Sequence, residues 1–186
     1  MNVKDLSNNH NLSQIIFITG GTKSGKSEFA EHLAKKEKNL SYVALSENNI
    51  DDKEWQEKIN LHRKRRPKNW KLIETTDLLN TLSKEDGPLL IDSIGGFVME
   101  NIEKEHNEWS TKMDLLISLL VKRKNITIIV GEQVGWSLVS EYKIGNSYIE
   151  RIGELQKKIT KISKDNWLTI NGRAIKIDEI SIEIPI

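Results

Sequence analysis

A short apolar run that stops on two glycines and resumes as a helical pattern constrains this chain more than any other feature. Gln14 to Thr19 (QIIFIT) leads into Gly20-Gly21-Thr22-Lys23-Ser24-Gly25-Lys26-Ser27, after which Phe29, Leu33 and Ala34 recur at helical spacing. An unbroken apolar run bounded by glycine predicts a strand buried on both faces, the kind found in parallel sheets. The eight residues that follow satisfy G-x-x-x-x-G-K-[ST], in the strand-to-helix context that gives this pattern its meaning. Glycine allows positive φ and close backbone approach, so that successive amides form an anion nest. A helix beginning near Gly25 adds its positive dipole end to the same point. Lys26 is placed to reach the β- and γ-phosphates of a nucleotide, and the Ser27 hydroxyl to ligate Mg²⁺.

Such a loop needs an acid at the end of a neighbouring buried strand to hold the metal, directly or through water. Leu89-Leu90-Ile91 follows Gly87-Pro88 and ends on Asp92; Ile126 to Val130 precedes Gly131 and Glu132. Asp92 is the first candidate and Glu132 the second, both expected at the carboxyl edge of the sheet. Ser41 to Leu45 and Trp167 to Ile170 read as further, weaker strands. Asp51–Arg65, Trp109–Arg123 and Ser147–Ser163 carry helical periodicity between them. Strands alternating with long helices predict βαβ units, hence one α/β domain over residues 14–186 with a mainly parallel sheet and helices on both faces. Ile175, Ile177, Ile180, Ile182 and Ile184 largely alternate with polar residues and predict a terminal edge strand. Met1 to Ser13, with four Asn, reads as a flexible extension.

Composition narrows the function. With 28 Lys+Arg against 27 Asp+Glu there is no bulk basic field for nucleic acid. The absence of Cys excludes a Cys-ligated zinc site and a thiol nucleophile. No apolar run approaches the roughly 20 residues of a membrane span, and the first thirteen residues lack a signal peptide's apolar stretch. A cytoplasmic protein is expected. His62-Arg63-Lys64-Arg65-Arg66-Pro67-Lys68 puts five cations in seven residues. It reads as a solvated helix end or as a second phosphate cradle, with Arg66 stiffened by Pro67. An imidazole there is also a potential nucleophile toward activated phosphorus, because its pKa near 6.5 leaves much of it neutral at pH 7.

Several segments together resemble the bifunctional adenosylcobinamide kinase / adenosylcobinamide-phosphate guanylyltransferase family of cobalamin biosynthesis. They are Ile15 to Ser27; Lys58 to Trp70, against the family's R-I-x-x-H-x-x-x-R-P-x-x-W; Leu90-Ile91-Asp92-Ser93; Val130 to Trp136; and Ile170 to Lys176. The resemblance implies a RecA-like P-loop NTPase fold assembled as a homotrimer. It also implies two reactions: phosphorylation of adenosylcobinamide by ATP or GTP, then transfer of GMP from GTP through a guanylylated histidine. On this basis Gly20 to Ser27 would be the phosphate loop and His62 the GMP carrier. Ser46, Glu47, Arg65, Arg66, Pro67, Glu74 and Asp92 would lie at the nucleotide, with Ser27 and Asp92 on Mg²⁺. The sequence departs from the family at Leu61, where some members carry a second histidine, and at Gly131, Ser140-Glu141 and Tyr148-Ile149-Glu150. Two other functions fit the loop alone: a kinase of another small alcohol, and a nucleotide-binding regulatory module without transferase activity.

Overall fold

The computed structural model describes residues 14–45, 67–136 and 140–184. Its seven strands form one sheet: β1 (Ile15–Gly20), β2 (Ser41–Ala44), β3 (Lys71–Glu74), β4 (Leu89–Asp92), β5 (Thr127–Glu132), β6 (Asp165–Ile170) and β7 (Arg173–Lys176). They lie in the order β3-β2-β4-β5-β1-β6-β7, every neighbour parallel except the antiparallel β6–β7 hairpin. The described helices are α1 (Lys26–Ala34), α2 (Leu78–Lys84), α3 (Gly95–Glu100), α4 (His106–Val121) and α5 (Lys143–Ile162). The helix expected over Asp51–Arg65 and the extension Met1 to Ser13 lie outside the described residues.

The central strands are apolar on both faces because each face carries its own core. Alternate residues of β1, β2, β4 and β5 turn to opposite sides, as the two-residue strand period requires. Ile15, Phe17, Val43, Leu89, Ile91 and Ile129 meet α2 to α5 through Leu82, Phe97, Leu116 and Ile159. Ile18, Tyr42, Leu90, Ile128 and Val130 meet α1 through Ala30 and Ala34. Small residues on α1 let that helix, and with it the loop at its start, sit close to the strands.

Three described elements, β3, α2 and α3, are absent from the sequence expectations, and two of them have a clear physical reason. β3 is an edge strand with only partial burial, so Lys71-Leu72-Ile73-Glu74 shows no continuous apolar run. α3 is short and opens on Gly95-Gly96, which gives it no helical pattern in the sequence; a Cβ at Gly96 would stand 2.2 Å from the Leu45 carbonyl oxygen. Close backbone approach, not turning, explains that glycine.

The tail corrects one expectation. The terminal strand covers only Arg173–Lys176, and a 3₁₀ turn follows at Ile177–Glu179. Ile180, Ile182 and Ile184 belong to no strand and are exposed. The β6 backbone explains the stop: the Asn166 N–H, next in line after the Trp167–Lys176 pair, donates instead to Asp178 Oδ2 at 2.7 Å.

Leu116 is fully buried at the centre of the core under α4. Leu116→Ala should cost about 2–5 kcal/mol, read as a lower urea midpoint with an unchanged slope.

Candidate functional site

The loop Gly21–Gly25 joins the last residue of β1 to the first of α1 and owes its shape to backbone that few residues adopt. Gly25 has φ +94° and Lys23 φ +56°. Gly20 admits no side chain: a Cβ there would lie 2.3 Å from Thr169 Oγ1 and 2.5 Å from the Thr169 carbonyl oxygen. The loop is fastened from β6 and its hairpin turn. Ser24 Oγ and Thr169 Oγ1 share a buried hydrogen bond of 2.8 Å, and the Gly172 N–H donates to the Ser24 carbonyl at 3.0 Å. No side chain caps α1 at Gly25, whereas Asp77 caps α2 through the Asn80 N–H at 3.1 Å. The first-turn amides of α1 therefore retain capacity for an external anion. Lys26 Nζ donates to the Gly21 carbonyl at 3.2 Å, so its ammonium arches back over the loop.

The strand order brings the acids to this loop. β5 lies between β1 and β4, with Gly20 level with Glu132 and Val130 level with Asp92. Ser27 Oγ donates to Asp92 Oδ1 at 3.2 Å across that edge. Tyr42, on β2, donates its hydroxyl to Asp92 Oδ2. Ser27 and Asp92 thus offer two hard oxygen donors side by side, the chemistry Mg²⁺ prefers, with its remaining positions left to water and phosphate. No trio of His, Asp or Glu suited to hold a metal unaided occurs among the described residues.

Glu132 ends β5 beside this pair. Its Oε1 accepts from the Ser93 hydroxyl, while Oε2 is buried with no hydrogen-bond partner among the described residues. Burial pushes its carboxyl above the usual range and the Asp92 charge adds to this, against the Ser93 hydrogen bond and the Lys26 ammonium. The Tyr148 phenol, on α5, is pushed up by burial and then by the Glu132 charge. Tyr148 Oη and both Glu132 oxygens converge on one spot, each 3.0 Å or less from where a Cβ on Gly95 would stand.

Of the residues expected at the nucleotide, Gly20 to Ser27 and Asp92 therefore come together. Glu74 ends β3, level with Ala44 of β2, at the same sheet edge but with two strands, β2 and β4, between it and β5. Pro67 is partly buried, and its carbonyl accepts from the Trp70 N–H at 3.1 Å. His62, Ser46, Glu47, Arg65 and Arg66 lie outside the described residues. Sequence reasoning missed Tyr42, Ser93, Tyr148 and Thr169. A tyrosine inside the otherwise small and apolar Ser41–Leu45 run was the one available signal; the others are brought in by packing.

This arrangement of a strand, a glycine loop, an uncapped helix start and a facing acid on a parallel sheet defines a P-loop fold. A family model described as cobinamide kinase / cobinamide phosphate guanyltransferase (CobU) matches residues 16–177, and the chain belongs to that family. It is 25% identical over 181 residues to the bifunctional adenosylcobalamin biosynthesis protein CobU of Escherichia coli (strain K12), covering 88% of this chain and 99% of that one. It is also 25% identical over 161 residues to the bifunctional adenosylcobalamin biosynthesis protein CobP of Pseudomonas aeruginosa, covering 83% and 92%. A solved protein of Pyrococcus horikoshii OT3 shares the fold with a TM-score of 0.51 and 7% identity, over 95% of this chain and 91% of that one. No helix among the described residues is long and apolar enough to cross a membrane.

Ionised Glu132 works against folding. A carboxyl whose folded pKa lies above its unfolded value supports the fold below the unfolded pKa and loses that support as pH rises through the folded pKa. Glu132→Gln should therefore be more stable than wild type at pH 8, with the gain shrinking toward pH 4, read as the difference in thermal midpoint across that range.

Proposed function

We propose that this chain phosphorylates the side-chain hydroxyl of adenosylcobinamide with ATP or GTP. It then transfers GMP from GTP to that phosphate through guanylylated His62, giving adenosyl-GDP-cobinamide and pyrophosphate. The observation that carries the reading is Ser27 meeting Asp92 at 3.2 Å beside an uncapped α1, within a chain of the cobinamide kinase family.

Phosphoryl transfer needs positioning and charge neutralisation more than covalent help. The loop amides and the start of α1 hold the phosphate chain, and Lys26 leaves the Gly21 carbonyl to pair with the β- and γ-phosphates. Ser27 and Asp92 would hold Mg²⁺, which would supply positive charge for the phosphate oxygens. Tyr42 fixes the Asp92 carboxylate while it does so. In the second reaction the neutral His62 imidazole attacks the α-phosphorus and pyrophosphate leaves. Arg65 and Arg66 neutralise the oxygens, a task that suits the guanidinium fork better than an ammonium. Ser46, Glu47, Pro67 and Glu74 complete the nucleotide site. The enzyme acts as a homotrimer in the cytoplasm.

Removing one preorganised donor that stabilises developing charge typically lowers turnover about 100- to 1,000-fold. Lys26→Ala should lose that much in phosphorylation of adenosylcobinamide while the protein stays folded, as judged by circular dichroism. His62→Asn should take up no label from GTP radiolabelled at the α-phosphorus and still phosphorylate adenosylcobinamide. Label retained by that variant would remove His62 from the mechanism. Turnover of another alcohol with none of adenosylcobinamide would overturn the substrate.

A further inference from the structure

The strand between the loop and the metal-holding acid ends on a carboxylate that the two reactions above leave without a task. β5 lies between β1 and β4, so whatever is gripped by both Lys26 and Asp92 lies over the end of β5, where Glu132 stands. The Gln133 N–H donates to the Gly20 carbonyl at 3.0 Å, locking this strand end to the first glycine of the loop. Ser93 holds one carboxylate oxygen and leaves the other without a donor among the described residues.

We propose that Glu132 accepts the proton of the acceptor hydroxyl during phosphorylation, with Ser93 and Tyr148 as positioning residues that aim and shield its carboxylate. The acceptor oxygen forms a bond to the γ-phosphorus as the bond from that phosphorus to the bridging oxygen breaks. The electron pair leaves with the nucleoside diphosphate, the hydroxyl proton passes to Glu132, and it is later lost to water.

Three observations distinguish this role from a structural one. A buried carboxylate oxygen with no donor, as Oε2 is among the described residues, destabilises a fold, so packing alone gives no reason for it. Its upward-shifted pKa moves it toward the range in which a carboxylate takes protons efficiently near neutrality. The acid beside Ser27 is already supplied by Asp92, which leaves Glu132 free of metal duty.

The inference rests on the kinase reading above, and Glu132→Gln tests the two separately. Wild type and variant are compared in phosphorylation of adenosylcobinamide, guanylylation of the protein by α-labelled GTP, affinity for Mg²⁺-ATP, and thermal stability at pH 8. Loss of general-base catalysis typically lowers the rate about 100- to 10,000-fold. A loss in that range in phosphorylation alone is expected, with guanylylation and ATP affinity within a few-fold and stability equal or higher. Phosphorylation within a few-fold of wild type overturns the proposal. So does a joint loss of phosphorylation, guanylylation and ATP affinity, which marks Glu132 as a nucleotide or metal ligand. A variant less stable than wild type marks it as structural. Should wild type leave adenosylcobinamide untouched, the substrate reading fails by itself. Release of phosphate from ATP to water then reads the same proton transfer, and an unchanged rate in the variant overturns Glu132.

Discussion

The parallel pairing of β5 between β1 and β4 is the constraint on which the rest of the site depends. It sets Gly20 level with Glu132 and Val130 level with Asp92, and it brings the carboxyl ends of three strands to one edge. Parallel strands all run the same way, so their ends deliver every loop and terminal acid to the same side. The Ser27–Asp92 hydrogen bond follows from this register and from α1 packing close through Ala30 and Ala34. A one-residue slip in either pairing would turn the acids to the other face of the sheet.

The loop is held from the opposite flank as well. Thr169 and Gly172 belong to β6 and to its turn with β7, more than 140 residues from Ser24 along the chain. Their hydrogen bonds fix a backbone that glycine alone would leave free to move, which is the entropic weakness of glycine-rich loops. The antiparallel hairpin at the sheet's end therefore supports the site as well as closing the sheet. The Asp178 carboxylate, by taking the Asn166 N–H, decides where that hairpin stops.

Stability and chemistry pull against each other at the same edge. Asp92 is supplied with donors by Ser27 and Tyr42, whereas among the described residues Ser93 is bonded to one Glu132 oxygen and the other, buried, has no partner. Groups held in states that cost folding energy concentrate where a protein does its work. Both acids end an apolar parallel strand, and their surroundings separate them: Asp92 is met by two hydroxyl donors, while burial dominates at Glu132.

The loop, its flanking strand and helix, the two apolar runs that form β4 and β5, and the acids ending them can all be read from the order of amino acids. Those features are legible because a strand buried on both faces must be apolar throughout, and because a phosphate-binding loop requires glycine and lysine at fixed spacing. The edge strand β3 was not legible, since a half-wet strand of four residues needs no distinctive pattern. The alternating isoleucines after Lys176 suggested a longer strand than exists, because periodicity cannot register a side chain that captures the neighbouring backbone. That Tyr42 steadies Asp92, that Thr169 clamps the loop, and that Ser93 and Tyr148 surround Glu132 emerges from the folded arrangement alone. Those contacts join residues far apart in the chain, and their existence depends on strand order, which no local pattern encodes.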